Sequence, residues 1–475
     1  MPESMWIDGE GQSPAAGRPL IVQDPATAET VAELALPGPR DVDRAVAAAQ
    51  RAWPGWARTP GPERQRALER MADALAARAQ EIGEVLSREQ GKPYSEAVKE
   101  AEGAAEAFRY YAAECVRPTG YAIPGSKASL RDVTRAEPVG VVAAISPWNY
   151  PVLLMAWKVA PALAAGCTVV AKPPPETPLS PLIVGQIASQ VLAPGVLNVL
   201  VGGPDVGEAL VRDPRVRAVT FTGSTATGRR IARLAAESFT RVTLEMGGQC
   251  PALVFADADV ERAAREIGYR AFRNAGQICN AVNRIFVDRR VADRFVAALG
   301  AYADSLRLGP GLSDPEPDLG PMTTAAGLER VRQHVADALA GGARLVTGGQ
   351  VRSDLPGQRF FAPTVLEVPH VRLRVMQEET FGPVAPVLAM DDMDDAIREA
   401  NALPYGLVGY VYTTDLATAV RAGEALEVGT VGVNNVGGGE VYYPYEGYKD
   451  SGLGWELGPG SLEPFVHRKH IRLAV

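Results

Sequence analysis

A chain of 475 residues, 47% hydrophobic and 22% charged, has the composition of a soluble globular protein with room for two or three sizeable cores. Lys+Arg 48 against Asp+Glu 56 leaves a net charge of −8, which gives no electrostatic footprint for a nucleic-acid partner. The four cysteines, Cys115, Cys167, Cys250 and Cys279, form no CxxC pair and no metal-like spacing. A disulfide framework and a zinc site are therefore disfavoured, no metal is expected, and a reducing, cytoplasmic setting is expected.

The first residues, MPESMWIDGEGQSP, lack the basic-then-apolar order of a signal peptide. Residues 41–115 read as helices. Leu68, Met71, Leu75, Ala79, Ile82 and Leu86 recur at steps of three and four, which predicts one long amphipathic helix stopped at Gly91 with Pro93 beyond. The apolar stretch 151–171 is long enough to raise the question of a membrane, but Lys158 and Pro161 near its middle favour a buried helix leading into a buried strand. From Val139 onward short β-branched runs (VGVVAAIS, CTVVAKP, GVLNVLVG, AVTFTGS) alternate with helical windows, as βαβ units and a mostly parallel sheet require. A second alternating region runs from PALVFADAD through RIFVDRR, ARLVTGG and GYVYTT to about residue 435, so two α/β lobes are expected.

Four stretches could carry chemistry. In TFTGSTATGRRIARLAAE a strand ends at Phe221, a Gly-Ser turn follows, and a helix opens near Thr225. Such a turn suits a diphosphate against a helix N-terminus, or is simply a tight connection with no ligand; it is neither GxGxxG nor a P-loop. In SPWNYP two prolines stiffen the loop around Asn149, whose amide could donate to an oxyanion or bond its own backbone. In TLEMGGQCP, Glu245 ends an apolar run and is either a buried general base or a solvent-facing glutamate. In FRNAGQICNAVNR, Cys279 is either a nucleophile or an inert core thiol. The histidines, His334, His370, His467 and His470, lie in no motif, which disfavours a Cys-His hydrolase. A cysteine without histidine fits covalent capture of an aldehyde, given an oxyanion donor, a hydride acceptor and a water-activating base.

Taken together, SPWNYP, KPPPETP, FTGSTATG, LEMGG, FRNAGQIC and EETFGPV resemble, in order and approximate spacing, the aldehyde dehydrogenase superfamily, from about Asp24 to the end. The resemblance implies an α/β fold with a Rossmann-like cofactor domain (1–118 and 139–246), a second α/β catalytic domain (247–449), and a small β-hairpin oligomerisation arm with its tail (119–138 and 450–475). It implies that Cys279 attacks the carbonyl, that Asn149 and the Cys279 N–H hold the oxyanion, and that Glu245 activates water. Glu456 resembles a second, proton-relaying carboxylate. For NAD or NADP it implies Lys172 at the adenosine ribose, Gly223 and Ser224 at the diphosphate, and Glu379 at the nicotinamide ribose. Phe381 matches a residue near the nicotinamide, and Ser146, Pro147, Trp148 and Gly247 fall in the same motifs.

Pro175 stands where many NAD-preferring members carry a ribose-binding Glu, which leaves NAD against NADP open. The presence of Glu245 favours hydrolytic release over transfer to CoA, as in a CoA-acylating semialdehyde dehydrogenase. With Cys279 and Asn149 it also argues against a silent structural relative. Tyr150 and Trp157, seven apart and expected on one helix face, with Tyr445, Ile278 and Asn280, would wall the substrate pocket. In betaine-aldehyde and aminoaldehyde relatives, matching aromatics box an ammonium group, although Arg273 replaces a Trp frequent there. Plain aliphatic or aromatic aldehydes fit the same walls. Bacterial succinic-semialdehyde enzymes often place an Arg where Trp157 stands, which counts against a carboxylate-bearing substrate. The expected partners are a small aldehyde and further copies of the chain in a dimer or tetramer, with no nucleic acid and no membrane.

Overall fold

The computed structural model describes residues 3–14, 17–118 and 120–475. Met1, Pro2, Ala15, Ala16 and Thr119 lie outside the described residues, and with them the first positions of the expected segments 1–118 and 119–138. Two large sheets organise the chain. The first is built on five parallel strands in the spatial order Leu197–Leu200, Thr168–Lys172, Val141–Ile145, Val216–Thr222, Arg241–Glu245. Antiparallel edges complete it: Met5–Ile7 and Glu10–Gln12 on one side, Gly452–Leu453 on the other. Its three inner strands are Val/Ala/Thr-rich and almost wholly buried, as expected where helices cover both faces.

The second sheet runs Arg344–Thr347, Thr364–Glu367, Val384–Met390, Val282–Asp288, Cys250–Val254, Val408–Tyr412, Thr430–Val433, with only the first pairing antiparallel. The architecture is thus α/β with two parallel-stranded sheets, as the sequence pattern implies.

The apolar stretch 151–171 resolves into the helix Pro151–Ala164 and the strand Thr168–Lys172. Every helix residue except Leu153 is buried. Its neighbours are the helices Gly61–Ala77 and Tyr94–Glu114, so apolar area goes into a protein core rather than lipid. Among the described residues no helix is long and apolar enough to cross a membrane. The single long helix expected before Gly91 is two helices, Gly61–Ala77 and Ala79–Gln90, broken where Arg78 takes φ −109°, ψ 14°. The apolar period runs unchanged through the break because both pieces bury their stripe against Tyr94–Glu114. Gly83 lies against Val98 of that helix, closer than any side chain allows: a Cβ there would stand 2.6 Å from Val98.

The arm is a three-stranded sheet in which Leu130–Pro138 pairs with Ala122–Ile123 and, over its whole length, with Val466–Ala474. The tail thus supplies an intrachain partner for the arm strand over its whole length. The outer edge of Val466–Ala474 pairs with no strand among the described residues.

Candidate active site

In the first sheet, the chain order of the parallel strands reverses between Val141–Ile145 and Val216–Thr222, and at such a switch point the loops leave a crevice beyond the carboxyl ends of the strands. Ser146–Pro147–Trp148–Asn149 leaves one strand there and Gly223–Ser224 the other. Gly223 in this turn and Gly228 in the helix that follows let the chain approach neighbouring side chains closely. A Cβ on Gly223 would lie 2.5 Å from the Phe221 ring, and one on Gly228 would lie 2.2 Å from the Met246 sulfur. The helix Thr225–Ala236 therefore sits down on the strand, with Ser224 as its N-cap and no acidic residue in its first turn, leaving the positive dipole end open to an anion.

A cavity of about 210 Å³ occupies this crevice. Cys279, Asn149, Pro147 and Trp148 line it together with Gly223, Ser224 and Gly247. Glu379 and Phe381 reach it from a loop before the second sheet's strand Val384–Met390. Phe381 holds a left-handed φ of +52°, strained for an aromatic residue, and meets Trp148 edge-on at 5.5 Å. Glu379 accepts from Gly248 N at 3.2 Å, and a Cβ on Gly247 would lie 2.5 Å from its carboxylate. Burial pushes Glu379 up to about 7, while the Gly248 N–H and Arg330 pull it back.

Two expected cofactor residues stand beside this cavity rather than on it. Lys172 donates to Gly202 O at 2.7 Å; burial lowers it to about 8 against the charges of Glu176 and Asp205. The Ser146 hydroxyl is buried with no hydrogen-bond partner. Thr324, Gly327 and Arg330 also line the cavity, from the start of the helix Ala325–Ala340. Nothing in that sequence stretch signals a site.

Of the four cysteines only Cys279 is partly exposed. Its loop follows a left-handed run, Asn274 (φ +50°), Ala275 (φ +53°) and Gly276 (φ +70°); a Cβ on Gly276 would lie 2.1 Å from Gly382 O. Side chains hold that run. Gln90 donates to Asn274 Oδ1 at 3.0 Å, Gln277 Nε2 donates to Asn274 O at 2.9 Å, and Thr323 N donates to Gln277 Oε1 at 2.9 Å. Asn149 Nδ2 donates to Gln277 O at 2.9 Å, which leaves its second amide hydrogen for another acceptor. Burial, and then the charge of Glu245, push the Cys279 thiol well above its ordinary pKa. It rests protonated and needs a base nearby.

Glu245 ends the strand Arg241–Glu245, buried, with no hydrogen-bond partner on either carboxylate oxygen. Burial and Glu456 push it up to about 7, and Lys158 pulls it down. Glu456 Oε1 accepts from Lys158 Nζ at 2.7 Å and from Thr220 Oγ1 at 3.0 Å, and Lys158 also donates to Thr222 at 2.6 Å. In the sequence Lys158 signals only a break in an apolar span; the structure makes it the partner of Glu456. With Glu245 titrating near neutrality, any step that needs its carboxylate should accelerate as pH rises through about 7. Steady-state turnover plotted from pH 5.5 to 9 checks this; a flat profile would contradict it.

Trp157 and Tyr445 pack ring to ring at 6.2 Å, and Tyr445 OH stands 3.7 Å from Cys279 Sγ. Tyr445 is also the register partner of Glu456 in a two-stranded pairing. Ile278 and Asn280 flank the thiol, both buried. Asn280 accepts from Arg270 at 3.2 Å on its side chain and from Tyr410 OH at 2.8 Å on its backbone. Tyr150 corrects the expectation of a three-ring box. It precedes the helix as its N-cap at ψ 65°, so the two-turn spacing to Trp157 does not apply. Its hydroxyl donates to Glu96 at 2.6 Å and the Lys92 ammonium covers its ring at 3.6 Å, so this face is already taken.

The fold and this cleft define a class: an α/β oxidoreductase with a thiol beside a dinucleotide-type crevice. The chain matches the model of the aldehyde dehydrogenase family over residues 12–471, and it belongs to that family. It is 38% identical over 470 residues to the mitochondrial succinate-semialdehyde dehydrogenase of Arabidopsis thaliana, covering 98% of this chain and 88% of that one. It is also 38% identical over 473 residues to the 3-sulfolactaldehyde dehydrogenase of Pseudomonas putida, covering 99% and 97%. A crystal structure described as an E. coli NADP-dependent enzyme superposes with a TM-score of 0.97 at 37% identity, covering 100% of this chain and 98% of the other. The protein is an enzyme that oxidises an aldehyde to a carboxylic acid.

Proposed function

We propose that the cavity joining Cys279 and Asn149 to Gly223, Ser224 and Glu379 is where an aldehyde and NAD(P)+ meet, and that this shared cavity carries the reading. The chain's residues fit a dinucleotide. The open helix N-terminus beyond Ser224 suits its diphosphate, and the side-chain-free surface at Gly247 sits beside the Glu379 carboxylate, which suits a ribose. Lys172 would serve the other ribose, and Ser146, Pro147, Trp148 and Phe381 would bound the ring. Bound there, NAD(P)+ supplies the hydride acceptor that turns a thiohemiacetal on Cys279 into a thioester.

The remaining steps belong to the side chains. Cys279 Sγ bonds the carbonyl carbon while its proton passes to Glu245. The free hydrogen of the Asn149 amide and the Cys279 N–H hold the oxygen as it becomes negative. Glu245 then takes a proton from water attacking the thioester, and Lys158 and Glu456 share that proton load. Trp157, Tyr445, Ile278 and Asn280 wall the substrate, and the aromatic pair suits an aldehyde with an apolar or aromatic body.

Residues 1–118 with 139–246 act as the cofactor domain, 247–449 as the catalytic domain, and 119–138 with 450–475 as the assembly arm. The edge of Val466–Ala474 that pairs with no strand among the described residues, with exposed Leu473 on it, suits a second copy of the chain. A monomeric mass in sedimentation velocity would remove that assignment. Four free thiols fit a reducing, cytoplasmic setting.

The test is a panel of aliphatic, aromatic, ammonium-bearing and acid-bearing aldehydes assayed with NAD and NADP, without CoA. The expected outcome is reduced cofactor and free acid in equal amounts. Turnover that requires CoA would move the enzyme to the acylating class.

A further inference from the structure

Beneath the loop bearing Asn149 lies a buried charged pair that takes no part in the chemistry above. Lys92 occupies the short link between the helices Ala79–Gln90 and Tyr94–Glu114, and its side chain is fully buried, as is that of Glu100. Lys92 Nζ donates to Glu100 Oε2 at 2.6 Å and to the backbone carbonyl of Asn149 at 2.8 Å, and it stands 3.6 Å above the Tyr150 ring. The other Glu100 oxygen accepts from Val152 N at 2.9 Å and Leu153 N at 3.3 Å, the opening amides of the helix Pro151–Ala164. One carboxylate therefore grips the lysine on one side of Asn149 and the helix start on the other.

The lysine itself is pinned. Gly91 turns the chain at φ +99°, Lys92 N donates to Gln90 Oε1 at 2.9 Å, and Lys92 O accepts from Ser87 Oγ at 2.6 Å. Gln90 also bonds Asn274, so the same link is tied to the run that leads to Cys279.

A buried ion pair is weak evidence for stability, because desolvation cancels much of the attraction and apolar residues of the same volume serve as well or better. What this pair does supply is a donor at a fixed point. The Asn149 carbonyl is one peptide from the loop's second proline, and its position sets where the side-chain amide aims. We propose that Lys92, held by Glu100, is a positioning residue that fixes the Asn149 amide for oxyanion binding. The inference rests on the oxyanion role proposed for Asn149.

A double-mutant cycle tests it. Replacing both partners, Lys92→Met with Glu100→Gln, avoids an orphaned buried charge and keeps an oxygen for the helix amides. The expected result is a fall of roughly 10- to 100-fold in the pre-steady-state burst of reduced cofactor, short of the ~10²–10³-fold cost of losing an oxyanion donor outright. The KM for NAD and its binding, read by quenching of intrinsic fluorescence, should stay unchanged. In an Asn149→Ala background the same replacement should change the burst by less than about threefold, since residues that act through one another are not additive. An equal loss in both backgrounds, or no loss with Asn149 present, would overturn the proposal. A full burst in Asn149→Ala alone would remove the oxyanion reading and the clamp with it. Should the paired variant not fold, Lys92→Arg, which keeps the charge but displaces the donor, goes through the same cycle, and the same outcomes support or overturn the clamp.

Discussion

Cys279→Ala should lower aldehyde oxidation by about 10⁴- to 10⁶-fold, the scale seen when a covalent nucleophile is removed. No other thiol can substitute. Cys250 is near, its sulfur 3.6 Å from Cys279 O, but it is buried, and burial pushes it up to about 12. Cys115 and Cys167 are also buried. The fold should hardly notice, because a partly exposed sulfur is lost from a loop fixed by Gln277 and Asn274, at a cost within about 1 kcal/mol. Dinucleotide binding should persist, since Ser224, Gly247 and Glu379 are untouched. Rates come from cofactor absorbance and folding from thermal unfolding. Turnover retained within tenfold of the parent enzyme would remove Cys279 from the mechanism.

Glu245→Gln should separate the two halves of the reaction. The carboxylate has no hydrogen-bond partner, so an isosteric amide fits the same space. The thiol loses its proton acceptor, but removing the Glu245 charge also eases ionisation of Cys279, which that charge now opposes, so the first turnover slows less than the second half of the reaction. Deacylation loses its general base, worth about 10²–10⁴-fold, and steady-state turnover falls by that factor. One equivalent of reduced cofactor should appear ahead of the steady state, and intact-protein mass spectrometry should find the chain heavier by one acyl group on Cys279. Undiminished steady turnover with no adduct would assign water activation to another residue.

Much of this is legible in the residues. The strands before Ser146, Gly223 and Glu245 declare themselves because inner strands of a parallel sheet are apolar on both faces and stop at Gly, Pro or polar turns. Cys279, Asn149 and Glu245 are singled out in the sequence by the short motifs that hold them, FRNAGQIC, SPWNYP and LEMGG. Lys158, Lys92, Gln90 and Arg330 are not. Each acts through a partner 49 to 298 residues away in sequence, and no local period encodes such a contact. Tyr150 misleads for a related reason. Spacing fixes a helix face only inside a helix, and Tyr150 is the residue before one. The break at Arg78 is invisible because both pieces bury the same stripe.

The pairing of Tyr445 with Glu456 has a practical side. The ring that borders the thiol and the carboxylate that neighbours Glu245 are cross-strand partners in a ribbon only two residues long per strand. Engineering a roomier mouth by trimming Tyr445 would loosen the ribbon that carries Glu456. Variants selected for bulkier aldehydes should therefore turn sluggish at thioester hydrolysis, and breadth of scope will trade against speed.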